Sequence, residues 1–261
     1  MKRSFSDGIA LKKYHGQNFL RDHSVVLSML TAVDIKNKSV FEIGCGDGFL
    51  TREILAQSPA RLWVFEIDKE WADKVAQDFS AFTGLTMFNT NVLDVDFSTF
   101  DADAPWILLS NLPYHVATPI LKKVHANRDK ISEGVVMVQE EVAQKILKTR
   151  GRGYGYISLF FQYYFEWKLL VKVPPTAFFP PPKVHSRLLY FKPKRDLAAI
   201  PDEVGFWKFI KLCFSQPRRT LKNNLEQTHF DLTKVPEKFS KLRAQQMSMT
   251  DLLELWAEFC K

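Results

Sequence analysis

Trp106-Ile107-Leu108-Leu109-Ser110-Asn111-Leu112-Pro113-Tyr114 joins an apolar run to a short polar turn. Trp106 to Leu109 reads as a buried strand of a parallel sheet, which requires an α/β fold. Asn111, Pro113 and Tyr114 then place an amide, a rigid bend and an aromatic ring at the carboxyl end of that strand. In open α/β sheets this edge is where ligands bind. An amide pairs with the edge of a nucleobase, and a phenol ring stacks on its face. Taken alone, the same residues also suit an ordinary turn whose tyrosine packs on a neighbour.

The preceding units repeat the pattern. Ser39-Val40-Phe41-Glu42-Ile43 is β-rich and breaks into Gly44-Cys45-Gly46-Asp47-Gly48, with a helix predicted from about Phe49. Glycines there let the backbone approach a ligand closely at a helix amino end. The spacing is Gly-x-Gly-x-Gly rather than the Gly-x-Gly-x-x-Gly of dinucleotide folds, which favours a ligand without a pyrophosphate. A second strand, Arg61 to Phe65, ends in Glu66-Ile67-Asp68. Glu66 follows the glycine loop by roughly 20 positions, the place of a carboxylate that holds ribose hydroxyls. A third strand, Leu85 to Phe88, leads to Asn89-Thr90-Asn91-Val92-Leu93-Asp94. If the first two strand ends hold a ribose, polar groups at the third meet its base.

A fifth strand, Gly134 to Val138, precedes a basic helix carrying Lys145, Lys148 and Arg150. Gly151-Arg152-Gly153-Tyr154-Gly155-Tyr156 mixes cations with aromatics, as suits phosphate contact with base stacking, and equally a plain connector. Ser158 to Phe165 reads as a core helix, and Trp167 to Val173 as a strand. Phe178 and Phe179 lie in a proline-stiffened loop, either forming a wall of a base pocket or buried beneath it. Ser186 to Phe191 closes as a last strand, and its short connection to the preceding one calls for antiparallel pairing. Composition then shifts over residues 192–204, which read as a linker. This divides the chain into a domain at 1–191 and a helical one at 205–261.

The chain has 261 residues, 46% hydrophobic and 25% charged, so it can bury a full core. A net charge of +7 suits a polyanionic partner. Lys12 and Lys13, beside Tyr14, Gln17 and Asn18, read as a basic arm that meets a ligand or a phosphate backbone, or as a free tail. Ser215 to Asn224 concentrates Arg218, Arg219 and Lys222 with amides, as phosphate contacts or as a solvated face. The three cysteines, Cys45, Cys213 and Cys260, have no metal-ligand spacing, so reduced thiols in a cytoplasmic protein are expected. No apolar run approaches the roughly 20 residues that span a bilayer.

Taken in order, these segments resemble the small-subunit ribosomal RNA adenine dimethyltransferase family. The carriers are His15 to Leu20, Glu42-Ile43-Gly44-Cys45-Gly46, Glu66-Ile67-Asp68, Ser110 to Tyr114, Ala177-Phe178 with Pro180 to Ser186, and Gln216 to Leu225. The resemblance implies a Rossmann-like class I methyltransferase sheet of seven mostly parallel strands, the last pair antiparallel, with a small C-terminal helical domain. It implies S-adenosylmethionine as donor and dimethylation of the N6 amines of two adjacent adenines near the 3′ end of small-subunit rRNA, by a monomer acting on a small-subunit precursor. By motif, Asn18, Leu20, Gly44, Gly46, Glu66, Asn91 and Asn111 line the donor site. Asn111 and the Leu112 carbonyl accept the amine hydrogens, Pro113 holds the turn, and Tyr114 and Phe178 stack on the adenine. Lys12, Lys13, Arg150, Arg152, Arg218, Arg219 and Lys222 contact RNA.

The chain departs from the family pattern at Asn91, where Asp is usual, at Cys45, where Pro is common, and at Pro217, which interrupts a Gln-Arg-Arg-Lys stretch. Two other readings stand beside this one: a large-subunit rRNA adenine methyltransferase of the antibiotic-resistance type, and a non-catalytic nucleic-acid-binding factor on the same fold. His15 to Leu20 and Asn223-Asn224 argue against the first. The intact glycine loop, Glu66 and Asn111 argue against the second.

Overall fold

The computed structural model describes residues 5–6, 8–12, 16–97, 100 and 105–260. The chain opens with β1 (Phe5–Ser6), β2 (Ile9–Ala10), β3 (Phe19–Leu20) and α1 (His23–Leu30). Three strand–helix steps follow: β4 (Ser39–Ile43) with α2 (Phe49–Ala56), β5 (Arg61–Glu66) with α3 (Lys69–Asp78), then β6 (Leu85–Asn89). Next come β7 (Trp106–Asn111), α4 (Ala117–Ala126), β8 (Ile131–Gln139), α5 (Glu140–Leu147) and α6 (Tyr156–Tyr164). The chain continues through β9 (Phe165–Val173), β10 (Phe178–Phe179) and β11 (Ser186–Pro193). It ends in α7 (Glu203–Cys213), α8 (Leu221–Leu225), α9 (Glu237–Ser240) and α10 (Met249–Phe259).

Seven strands form one sheet in the order β6-β5-β4-β7-β8-β11-β9. Pairing is parallel from β6 through β8, and β11 runs antiparallel to β8, with Ser186 opposite Gln139 and Phe191 opposite Gly134. β4 is buried at every residue and β7 at all but its last, which is why both are mainly apolar, with Glu42 the buried exception in β4. The alternation of side chains sorts the sheet residues into two layers. Val40, Leu62, Val64, Ile107, Leu109, Val135 and Met137 join Val25, Val26 and Met29 of α1 and Ile54 of α2 in one core cluster. Phe41, Trp63 and Phe65 turn the other way into an aromatic group with Phe88, Phe97, Phe100 and Trp106. The edge strands β6 and β9 are only partly buried, and Leu169 and Val171 of β9 are exposed.

The chain runs outward from β4 through β5 to β6, then returns to lay β7 on the opposite side of β4. The connections leaving β4 and β7 therefore diverge, and the sheet opens a crevice at their carboxyl ends. Ser110 Oγ donates to the Ile43 carbonyl at 2.6 Å and ties the two strands together at that point.

The polypeptide forms two compact units. The first comprises Met1–Ala143 and Glu166–Pro193, the second Gln144–Phe165 and Lys194–Lys261. This differs from a single boundary near residue 191: the segment 144–165 is an excursion into the second unit. Its reason is aromatic packing. Phe160 and Tyr164 of α6 meet the Trp207 ring of α7, whose indole Nε1 donates to the Tyr164 hydroxyl at 2.6 Å. The linker packs there too, with the Lys194 amide on the Tyr164 carbonyl. Phe206, Phe209, Ile210 and Cys213 share the buried face of α7, as their spacing predicts. Leu252, Leu255 and Trp256 of α10 are buried in the same unit. Among the described residues no helix is long and apolar enough to cross a membrane.

Candidate active site

The crevice is lined from four strand ends and from the segment that includes β3. The glycine loop after β4 supplies its floor. Gly46 has φ +54°, and a Cβ there would lie 2.8 Å from the Phe19 ring, so any other residue would be strained and would push that ring aside. Gly44 has φ +74° and faces Pro113, which brings the β4 and β7 turns into contact. The Gly44 amide donates to the Phe65 carbonyl at 2.8 Å, continuing the β4–β5 ladder into the loop.

Glu66 ends β5 and is buried. Its Oε2 accepts the Gly46 amide at 3.1 Å and its Oε1 accepts the Asp68 amide at 2.9 Å. Burial raises its pKa, and these amide bonds oppose the rise. A carboxylate offers about four lone-pair sites; the Cys45 thiol also donates to Oε2, at 3.8 Å, which leaves Oε1 the more open to a ligand hydroxyl. Asn91 lines the crevice beyond β6. Its Oδ1 accepts the Leu93 amide at 3.1 Å and its Nδ2 donates to Asp94 Oδ2 at 3.1 Å.

Asn111 closes β7, and its Nδ2 donates to the Asn18 carbonyl at 3.3 Å. The amino-terminal segment is thereby fastened to the β7 turn, and the other end of the amide is the acceptor Oδ1. The Leu112 amide donates to the Met137 carbonyl at 3.1 Å, with its side chain buried. The Pro113 carbonyl accepts the Val116 amide at 3.1 Å, closing the turn. Tyr114 borders the crevice, its hydroxyl 2.5 Å from Ser186 Oγ at the start of β11. Burial raises its pKa, so the ring stays neutral. Asn18 and Leu20 also line the crevice. Gly44, Gly46, Glu66, Asn91, Asn111 and Tyr114 are thus brought together with them.

Two of the expected site residues make other contacts in this structure. Phe178 is buried in the core cluster and does not line the crevice, because β10 pairs with β3 and places Phe178 opposite Leu20. Its neighbour Phe179 is the exposed ring. Lys12 is not turned out toward a phosphate: its Nζ pairs with Asp68 at 2.6 Å and Glu70 at 2.7 Å, contacts that raise its pKa. Gln17 Nε2 adds a bond to Asp68 at 2.9 Å, and Gln17 Oε1 accepts the Lys12 amide. Burial pushes the Asp68 carboxyl up, but Lys12 and Gln17 bring it below its ordinary value. Lys13 lies outside the described residues, as does His15 of the motif.

Glu42 is the group that sequence reasoning did not single out for a role. It is buried at the crevice wall and accepts the Thr51 hydroxyl at 2.7 Å. The signal was an acid inside an otherwise apolar strand. Burial first, then the charges of Glu66 and Asp47, push its pKa up to about 8.

In the second unit Arg150 borders a recess with Thr220, Lys241, Arg243, Gln245 and Gln246. The Gly151 amide donates to the Gln245 carbonyl at 3.1 Å and fixes the loop against it. Lys241 and Arg243 are far from Arg150 in sequence, and no local pattern marks them. Arg152, Arg218, Arg219 and Lys222 are exposed and do not line this recess. Asn224 is a structural residue: its Nδ2 donates to the carbonyls of Cys213 and Gln216.

Residues 9–254 match the family described as ribosomal RNA adenine dimethylase. Ribosomal RNA small subunit methyltransferase A of Francisella tularensis subsp. novicida is 33% identical over 252 residues, covering 94% of this chain and 95% of that protein. The protein of the same name from Chlorobium luteolum is 35% identical over 250 residues, covering 95% and 89%. In fold, the chain resembles a dimethyladenosine transferase from Plasmodium falciparum, with a TM-score of 0.78 at 22% identity over 93% of this chain and 97% of that one. It also resembles the 23S rRNA methyltransferase ErmE, with a TM-score of 0.71 at 20% identity over 94% and 100%.

Proposed function

The chain belongs to the ribosomal RNA adenine dimethylase family and is an rRNA adenine dimethyltransferase, and on that premise we propose the donor, the target and the residues that act on them. The donor is S-adenosylmethionine. The target is the N6 amines of two adjacent adenines near the 3′ end of small-subunit rRNA, modified during assembly of that subunit by a cytoplasmic monomer. One observation carries this reading: Glu66 and Asn111 line a single crevice at the switch point of the sheet.

The residues fit the donor. Gly44, Gly46 and Glu66 line one crevice, and the Glu66 carboxylate accepts from the ribose hydroxyls there. When bound, S-adenosylmethionine supplies a methyl group on a sulfonium, already activated for transfer. The amine is the harder partner, because its lone pair is delocalised into the purine ring. Asn111 Oδ1 and the Leu112 carbonyl accept its two hydrogens, which favours the tetrahedral nitrogen whose lone pair can attack. The Asn18 carbonyl holds the other end of the Asn111 amide, so Oδ1 need not reorganise as charge develops. Tyr114 stacks on one face of the extruded adenine. Such stacking contributes about 1–3 kcal/mol per base, against a cost of a few kcal/mol for extrusion. For the second face Phe178 would have to leave the core. Arg150, Lys241 and Arg243 contact the RNA backbone.

The test is transfer of radiolabelled methyl to isolated small subunits, by wild type and by Asn111→Ala. Wild type should label small and not large subunits. The variant should lose about a hundredfold to a thousandfold in turnover, while calorimetry shows retained donor binding. Near-normal turnover of the variant would remove Asn111 from the mechanism.

A further inference from the structure

The side chain of Asn91 has both of its ends committed. It opens the one-turn segment Val92–Asp94, where Oδ1 caps the Leu93 amide and Nδ2 is held by the Asp94 carboxylate. The turn is pinned from outside as well, since Lys123 Nζ of α4 donates to the Leu93 carbonyl at 2.5 Å. Asn91, Val92 and Leu93 line the crevice that holds Glu66, while Asp94 is exposed to solvent.

An amide is ambivalent where a carboxylate is not. Either oxygen of a carboxylate accepts, but an amide accepts at one end and donates at the other, and a half-turn exchanges them. The exocyclic amine of adenine needs an acceptor opposite it. A 6-oxo purine in the same place needs a donor. Which base the site selects therefore depends on which end of Asn91 is presented.

We propose that Asp94 is a positioning residue for donor recognition. By taking Nδ2, while the Leu93 amide takes Oδ1, it adds to the hold on Oδ1 as the accepting end of Asn91, and so sharpens selection of a 6-amino over a 6-oxo purine nucleoside. Oδ1 has two lone pairs, one on the Leu93 amide and one for the base. This inference rests on the crevice being the donor site. Asp94 does not touch the base. A carboxylate at position 91 would make it unnecessary, since neither of its oxygens can donate when ionised.

Calorimetry with S-adenosylhomocysteine and S-inosylhomocysteine tests this without turnover. Wild type should prefer the adenosyl compound. Asp94→Ala should lower the ratio of the two affinities about fivefold to tenfold. Asn91→Asp should keep the preference, and Asp94→Ala added to Asn91→Asp should leave it unchanged. If Asp94 merely stiffens the turn, Asp94→Ala weakens both compounds equally, and an unaltered ratio overturns the proposal. Failure of the wild-type protein to bind S-adenosylhomocysteine overturns the donor-site reading, and this inference with it.

Discussion

Glu42 lies wholly inside the first unit, with Thr51 donating to it and two further acids nearby. Its carboxyl titrates at about 8 in the folded chain, against an ordinary value of 4.5. Between these limits the unfolded chain has ionised while the native one keeps its proton, so the native state binds more protons. The stability contributed by this group is thus intact below about 4.5 and lost as pH rises toward about 8. Glu42→Gln keeps an acceptor for Thr51 and does not titrate. Its thermal midpoint relative to wild type should therefore climb steadily from acid to mildly alkaline solution. A pH-independent difference would contradict a protonated Glu42. Single residues were legible where an unusual type followed an apolar strand, as with Glu66 and Asn111. Phe178 was not, for a reason of geometry. Neighbouring strand residues point to opposite sides, so one of Phe178 and Phe179 had to be buried, and nothing in the sequence says which.

At the scale of elements, the amino-terminal segment is held to the sheet by a small set of polar ties. Lys12 and Gln17 grip Asp68 just beyond β5, Arg21 pairs with Asp47 of the glycine loop, and Asn18 meets Asn111. Two-residue pairing of β3 with β10 completes the attachment. Lys12→Ala removes one tie whose carboxylate partner is buried, and leaves the crevice lining intact. Partly exposed ion pairs contribute up to about 1 kcal/mol. The variant should bind S-adenosylhomocysteine up to about fivefold more weakly and lose its amino-terminal segment to protease sooner, with rRNA affinity unchanged. A fall in rRNA affinity with donor binding intact would instead return Lys12 to the RNA. The inner strands were legible because burial on both faces leaves a mainly apolar run, as in Trp106 to Leu109 of β7. β3 and β10 were not, since two residues carry no periodicity.

At the scale of the whole chain, composition marks where the polypeptide leaves the sheet for good, near residue 192, but not its earlier excursion through 144–165. α6 is as apolar as a strand-covering helix, and partners distant in sequence, Trp207 and Glu203 among them, assign it to the second unit. The same excursion carries Arg150 to Lys241 and Arg243, a grouping that no local pattern foretells. Such a group binds phosphates by releasing counterions, so its signature is the dependence of affinity on salt rather than affinity alone. Replacing both Lys241 and Arg243 by alanine should weaken rRNA binding across sequences. It should also reduce the slope of log affinity against log salt by roughly 2. Donor affinity in the first unit should not change, because neither residue lines its crevice. Arg218→Ala with Arg219→Ala serves as the comparison, since those exposed residues lie outside the recess. An unchanged slope for Lys241 and Arg243, with a reduced one for Arg218 and Arg219, would move the backbone contact to the turn before α8.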